Sequence, residues 1–232
     1  MLSLGTGTCS SEIDLALRFK KPYELVCVEY NQELINRGVQ MSAAKGVSIR
    51  PLVQDINFIK LDEMFDIVFA HAALHHFVEL EHIFDEIKLH LSDDGVFIVE
   101  DVTCRNGMLL WPEQRKVIDG LLKVLPSKFS FSHFLQKNTD TFVEVDYSDP
   151  GFECIRSQDV LPLLQDYFAT VHLVNGWAFA RRLTENEFGP NFDLTQDFDL
   201  KVLNFLLELD QWYVDSGVLK PESIFWVGRR PD

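Results

Sequence analysis

The chain has 232 residues, with 21 Lys and Arg against 36 Asp and Glu, for a net charge of −15. A surface this acidic repels phosphate backbones, and only isolated basic pairs such as Lys20-Lys21 and Arg181-Arg182 oppose it, so nucleic acid is excluded as the expected partner. A hydrophobic fraction of 47% is enough for a substantial core, and no apolar run approaches the roughly 20 residues that span a bilayer, so no membrane partner is expected either.

In chain order, Leu2–Leu4 reads as a short strand running into Gly5-Thr6-Gly7-Thr8. Ser10 or Ser11 then caps a helix over Glu12–Phe19, with Glu12 and Asp14 in its first turn. Leu25–Val28 is a buried-strand run that ends at Glu29. Gln32–Ala44 is a helix closed by Gly46. Val47–Val53 is a third strand ending at Asp55, and Phe65–Ala70 a fourth. Phe77, Leu80, Ile83, Phe84, Ile87 and Leu91 fall on one face of the next helix. Asp93-Asp94-Gly95 turns the chain into Val96–Val99, which ends at Glu100-Asp101.

Beyond Cys104, Glu113–Leu125 reads as a helix stopped by Pro126. Ser127–Gly151 is irregular, and a loop of that length is expected to be a lid or binding segment. Asp159–Phe168 is a helix capped by Ser157. Thr170–Val174 is a strand, Phe198–Val214 a helix stopped at Gly217, and Ser223–Val227 a last strand. The alternation predicts an α/β fold: a doubly wound, mostly parallel sheet with helices on both faces. The stripe Leu203, Leu206, Leu207, Leu209 and Trp212 reads as core or as a homodimer contact. Some of the 19 phenylalanines should line an apolar pocket.

Four signals fall at successive strand ends, where open α/β sheets bind ligands. Gly5 and Gly7 let the backbone turn tightly and approach a ligand. Glu29 can accept from both hydroxyls of a ribose. Asp55 can accept from an adenine amino group while Ile56 packs on the ring. Ala70-His71 closes the fourth strand, followed by Ala73-Leu74-His75-His76.

These motifs resemble the class I methyltransferases: Leu2–Thr8, Val28-Glu29-Tyr30-Asn31, Gln54-Asp55-Ile56, Phe65–His76 and the Leu91–Glu100 turn and strand. The resemblance covers roughly residues 1–101. It implies a seven-stranded sheet with one antiparallel strand and S-adenosylmethionine across the first strand ends, with S-adenosylhomocysteine as product. It assigns Gly5 and Gly7 to the methionine side, Glu29 to the ribose, Tyr30 and Ile56 to the adenine faces, and Asp55 to the amino group. It places His71 near the sulfonium, and Thr6 and Ala70 are further cofactor-binding candidates. Trp111-Pro112-Glu113-Gln114, Ile155–Leu164 and Asn191-Phe192-Asp193 are similar to a bacterial subgroup found alongside glycan-biosynthesis enzymes. The family usually has a third glycine where this chain has Cys9, so a slightly wider loop is expected. Met1 lies about three residues before the glycine turn, so the usual N-terminal extension is expected to be missing.

The expected organisation is one methyltransferase domain over 1–232. Residues 1–104 form the cofactor core, and 105–165 and 176–217 cover the acceptor side. The expected reaction is in-line methyl transfer to a small-molecule or sugar-type acceptor, at oxygen with nitrogen as the alternative. A hydroxyl acceptor profits from a general base, and His71, His75, His76 and Asp101 are the catalytic candidates, with Glu100 beside them. Arg105, Trp111 and Arg156 are the acceptor-binding candidates. His71 and His75 stand four apart, but no third ligand follows at a recognised spacing, so no metal site is expected. Cys9, Cys27, Cys104 and Cys154 form no CxxC pair and fit a reducing cytoplasm. Two rivals share some signals. A nicotinamide-dependent oxidoreductase would use Gly5, Gly7 and Glu29 too, but the chain offers no dehydrogenase-type catalytic partner. The other is a Rossmann-like scaffold without turnover.

Overall fold

The computed structural model describes residues 1–231. Its elements in chain order are β1 (Leu2–Leu4), α1 (Ser10–Ala16), β2 (Val26–Glu29), α2 (Gln32–Ala44), β3 (Arg50–Val53), β4 (Phe65–His71), α3 (Leu80–His90) and β5 (Leu91–Val102). There follow α4 (Pro112–Val124), the two-residue strands β6 (Phe131–Ser132) and β7 (Lys137–Asn138), α5 (Ser148–Gly151), α6 (Ser157–Tyr167), β8 (Ala169–Gly176), α7 (Ala180–Thr184), α8 (Asp197–Ser216) and β9 (Ser223–Arg229).

Seven strands form one sheet in the order β3-β2-β1-β4-β5-β9-β8. The first five pair in parallel, and β9 inserts antiparallel between β5 and β8. This is the expected mostly parallel α/β sheet. The two faces follow from strand alternation. Leu2, Leu4, Val26 and Val28 point into a core shared with α3 and α6, where Phe84, Phe97, Phe168 and Trp226 meet edge to face. Leu25 and Cys27 point the other way, into a smaller core with Ile13 of α1 and Ile35 of α2. Ser3 shares that second face and donates to the buried Glu12, whose carboxyl burial pushes up.

A third core joins α4, α7 and α8. Leu206 lies inside it, Leu207 and Leu209 pack against it, and Trp212 is 57% exposed. Asp210 of α8 accepts from the Ala178, Phe179 and Ala180 amides, satisfying the open first turn of the five-residue α7. That helix had no signal in the sequence.

Several local expectations are corrected. α1 begins at Ser10, and neither Ser10 nor Ser11 caps it; Cys9 stands at the cap in a left-handed conformation, φ 56°. The expected 93–95 turn is absorbed into β5 as an irregularity: Phe65 pairs with Leu91, and Ile67 with Val96. Ser157 does not cap α6; its hydroxyl donates to the Cys104 carbonyl. α6 lies in the 105–165 segment expected over the acceptor side, yet its Val160 and Leu164 belong to the main sheet core. The Ser127–Gly151 segment contains the small β6–β7 hairpin and α5.

Candidate functional site

Parallel pairing brings the carboxyl ends of β1 to β5 to one edge of the sheet, and the strand-end signals meet there. Gly5, Glu29, Tyr30, Asp55, Ile56, Asn57, Ala73, His76, Phe77 and Phe152 line one cavity of about 720 Å³. A larger cavity, about 750 Å³, lies at the opposite end of the strands, around Met1, Lys20, Tyr23 and Phe65, and holds none of the strand-end residues.

The glycine turn is held from below, where the Gly5 and Thr6 amides both donate to the Val28 carbonyl. Gly5 has φ +65°, and a Cβ there would stand 2.9 Å from the Ala73 Cβ and 3.1 Å from the Phe77 ring. The turn therefore sits directly against the segment after β4. Gly7, φ +52°, faces open space. The two oxygens of Glu29 accept from the Gly7 amide at 2.9 Å and the Asn31 amide at 2.8 Å. Each keeps a further lone pair for a hydroxyl donor. Asp55 Oδ1 accepts from the Asn57 amide and side chain. Thr6 and Ala70 are buried beneath the edge and support it rather than lining the cavity. Two carboxylates near a left-handed glycine turn, with the flat or apolar Tyr30, Ile56 and Phe77 around them, fit a nucleoside that carries a diol and an exocyclic amine. Phe77 and Phe152 are the two phenylalanines of this pocket.

The end of β4 and the segment after it contribute to a second cavity as well. His71 and Ala72 line the second, of about 300 Å³, together with Glu100, Trp177, Arg181 and Phe225. Ala72 has φ 47°, a left-handed turn that a non-glycine residue adopts only where its surroundings hold it. His71 Nδ1 lies 3.2 Å from the Ser11 hydroxyl, and Nε2 lies 3.8 Å from Glu100 Oε2. Trp177 and Arg181 went unnoticed in the sequence as site residues; only the pairing of β8 with β9 brings them to β4 and β5.

The other catalytic candidates have different roles. Asp101 is buried, and Oδ2 accepts from the Ala73 and Leu74 amides while Oδ1 accepts from the Val102 amide. Oδ1 also meets His75 Nδ1 at 2.5 Å. His75 is 5% exposed, and its Nε2 lies 3.3 Å from Glu153 Oε1. Burial alone would depress this imidazole, but the Asp101 hydrogen bond and the charges of Asp101 and Glu153 outweigh it and raise its pKa above the usual value. Asp101 and His75 thus hold the post-β4 turn; Asp101 also borders the second cavity, with its carboxylate buried and engaged by these partners, and His75 lines neither cavity. His76 lines the first cavity, and its Nδ1 lies 2.9 Å from the Phe152 carbonyl.

The acceptor-binding candidates are corrected in the same way. Arg156 makes a bidentate pair with Glu81, a third contact to Asp159 and a fourth to the Val78 carbonyl. It pulls the Glu81 carboxyl down to about 2 and is occupied as a staple. Arg105 donates to the Leu110 carbonyl, and Trp111 lies 3.7 Å under the Lys220 ammonium. None of the three lines either cavity.

A doubly wound sheet of this order, with a glycine turn and two strand-end carboxylates around one cleft, defines the class I methyltransferases, whose cofactor is S-adenosylmethionine. The family model described as a methyltransferase domain matches residues 1–134, and the chain belongs to that family. Two solved structures with TM-scores above 0.5 agree on the fold. A [4+2]-cyclase, SpnF, is 14% identical at TM-score 0.54, covering 99% of this chain and 73% of its own. TehB from Haemophilus influenzae is 12% identical at TM-score 0.52, covering 99% and 57%. An S-adenosylmethionine-dependent methyltransferase from Clostridium acetobutylicum is 24% identical at TM-score 0.40, covering 44% and 42%. The chain therefore spans about half the length of the first solved structures it matches. No curated protein matches the chain.

Proposed function

We propose that this chain transfers a methyl group from S-adenosylmethionine to a small-molecule or glycan-type acceptor, at oxygen. The observation that carries the reading is the meeting of Gly5, Glu29, Tyr30, Asp55 and Ile56 around one cavity. A cyclase shares this fold, so the residues around the cavity, not the fold, decide the chemistry.

The cofactor supplies a methyl group already activated on a sulfonium. The chain contributes position. Glu29 holds the ribose diol, Asp55 the adenine amine, and Tyr30, Ile56 and Phe77 enclose the base. The acceptor enters the second cavity. There His71 would take the proton of a hydroxyl acceptor. Glu100, 3.8 Å from Nε2, stabilises the imidazolium that forms, and Ser11 orients the ring through Nδ1. Trp177 and Arg181 offer a flat face and a cation to the acceptor. The net charge of −15 argues against a nucleic-acid acceptor.

Calorimetric titration with S-adenosylhomocysteine, run in parallel with NADH, tests the cofactor assignment. Micromolar binding of the homocysteine compound alone is expected. Binding of NADH alone would move the chain to the oxidoreductases, and binding of neither would favour a scaffold.

A further inference from the structure

We propose that His75, Glu153 and Cys154 form a binding site for a divalent metal of zinc type, which fastens the 152–156 segment to the turn after β4. One ligand atom from each of the three lies within 4.8 Å of the others. The donor set is one imidazole, one carboxylate and one thiol. Nitrogen and sulfur donors select zinc-like ions over magnesium or calcium.

The surroundings are those of a metal-binding histidine. His75 Nδ1 is bonded to the buried Asp101 carboxylate at 2.5 Å. That bond fixes the ring and leaves Nε2 turned toward Glu153, in the carboxylate–histidine–metal arrangement common around bound zinc. Asp101 is itself anchored by three backbone amides, so the histidine is held by the body of the sheet.

The other two ligands are presented by a tied segment. The Ile155 amide donates to the His75 carbonyl at 3.0 Å, and the Gly107 amide to the Cys154 carbonyl at 2.9 Å. Phe152 and Cys154 on either side of Glu153 are both left-handed, at φ 50° and 54°. Cys104 is a further sulfur donor beside the triangle, its Sγ 3.7 Å from Cys154 Sγ. On binding, the Cys154 thiol and a protonated His75 Nε2 give their protons to solvent, and the thiolate and the Glu153 carboxylate balance the two charges of the ion.

The site bears on cofactor binding. Phe152 lines the cofactor cavity, and His76 is tied to its carbonyl. An ion that orders Glu153 and Cys154 orders Phe152 with them. The metal and the cofactor should therefore each tighten the other's binding by the same factor, roughly 10-fold.

The experiment is cobalt(II) titration of the reduced, chelator-stripped full chain, followed by zinc. Expected are one equivalent of cobalt, a near-ultraviolet thiolate-to-cobalt charge-transfer band, tetrahedral visible bands, and bleaching of both by zinc. Cys154→Ser should abolish the charge-transfer band, and Glu153→Gln should weaken cobalt binding by about 10- to 100-fold. Glu153 is half-buried, which keeps the second variant informative if Cys154→Ser fails to fold. Absence of saturable cobalt binding, or cobalt binding without a charge-transfer band, would overturn the site. So would a band that persists in a folded Cys154→Ser. S-adenosylhomocysteine binding measured on the same metal-free sample separates this result from the proposed activity: cofactor binding without cobalt binding removes the metal site alone.

Discussion

Gly38 of α2 makes room for the side chain of Cys9. A Cβ at Gly38 would stand 2.8 Å from Cys9 Sγ and 3.0 Å from the Thr8 carbonyl oxygen. Cys9 occupies the position where the family usually has glycine, and it keeps the left-handed conformation that a glycine would adopt there. The Cys9 side chain is therefore accommodated by the missing side chain at Gly38 of the opposing helix.

Gly38→Ala should consequently destabilise the fold by about 1–3 kcal/mol, because the added methyl overpacks a fully buried contact. Cys9→Gly combined with it should restore part of the loss, since the sulfur clash goes while the Thr8 carbonyl remains. Urea unfolding of both single variants and the double variant measures the coupling. Strict additivity would mean that the two residues do not oppose each other.

Glu29 holds the glycine turn and faces the cavity at once. Glu29→Ala removes two charge-assisted acceptors at the proposed ribose position and should weaken S-adenosylhomocysteine binding by about 10- to 100-fold. Calorimetry gives the affinity, and circular dichroism checks that the fold survives. An unchanged affinity would take the ribose role away from Glu29.

His71 is the histidine with a face on the second cavity. With any acceptor that the chain methylates, His71→Ala should lower kcat by about 100-fold and leave S-adenosylhomocysteine affinity nearly unchanged. His75→Ala should instead lower the melting temperature, since it empties a buried position and leaves Asp101 without its ring partner. The reverse pattern would return catalysis to His75.

Glu222 makes stability depend on pH. It is fully buried; burial pushes its carboxyl up to about 7 against the attraction of Arg182 and Arg181, with Cys104 adding to the rise. Oε2 accepts from Arg182 Nε at 2.8 Å, and Oε1 has no partner among the described residues. The folded-state value lies above the ordinary 4.5, so the protonated form is the one that folding favours. Its contribution is fully present below 4.5 and is lost as pH rises through about 7. The loss should be on the order of 1–3 kcal/mol, and Glu222→Gln should flatten it. Melting curves at a series of pH values compare the two proteins.

The sequence by itself determined the element alternation, the sheet class and the edge where the strand-end residues meet. These rest on short-range physics: strand runs, a helical apolar stripe, and glycines and carboxylates placed at strand ends. Parallel pairing then carries every strand end to the same edge, so Gly5, Glu29, Asp55 and Ile56 could be read without knowing any long-range contact. Only the tertiary structure decided the rest. Arg156 looks like a free cation in sequence, but folding gives it Glu81 and Asp159. His71, His75 and His76 look equivalent within six residues, and packing separates them into one residue on the second cavity, one buried anchor and one residue on the first cavity. Trp177 and Arg181 reach the second cavity only because β9 inserts between β5 and β8. Such roles depend on which distant groups fill the space around a side chain, and local periodicity carries no record of that.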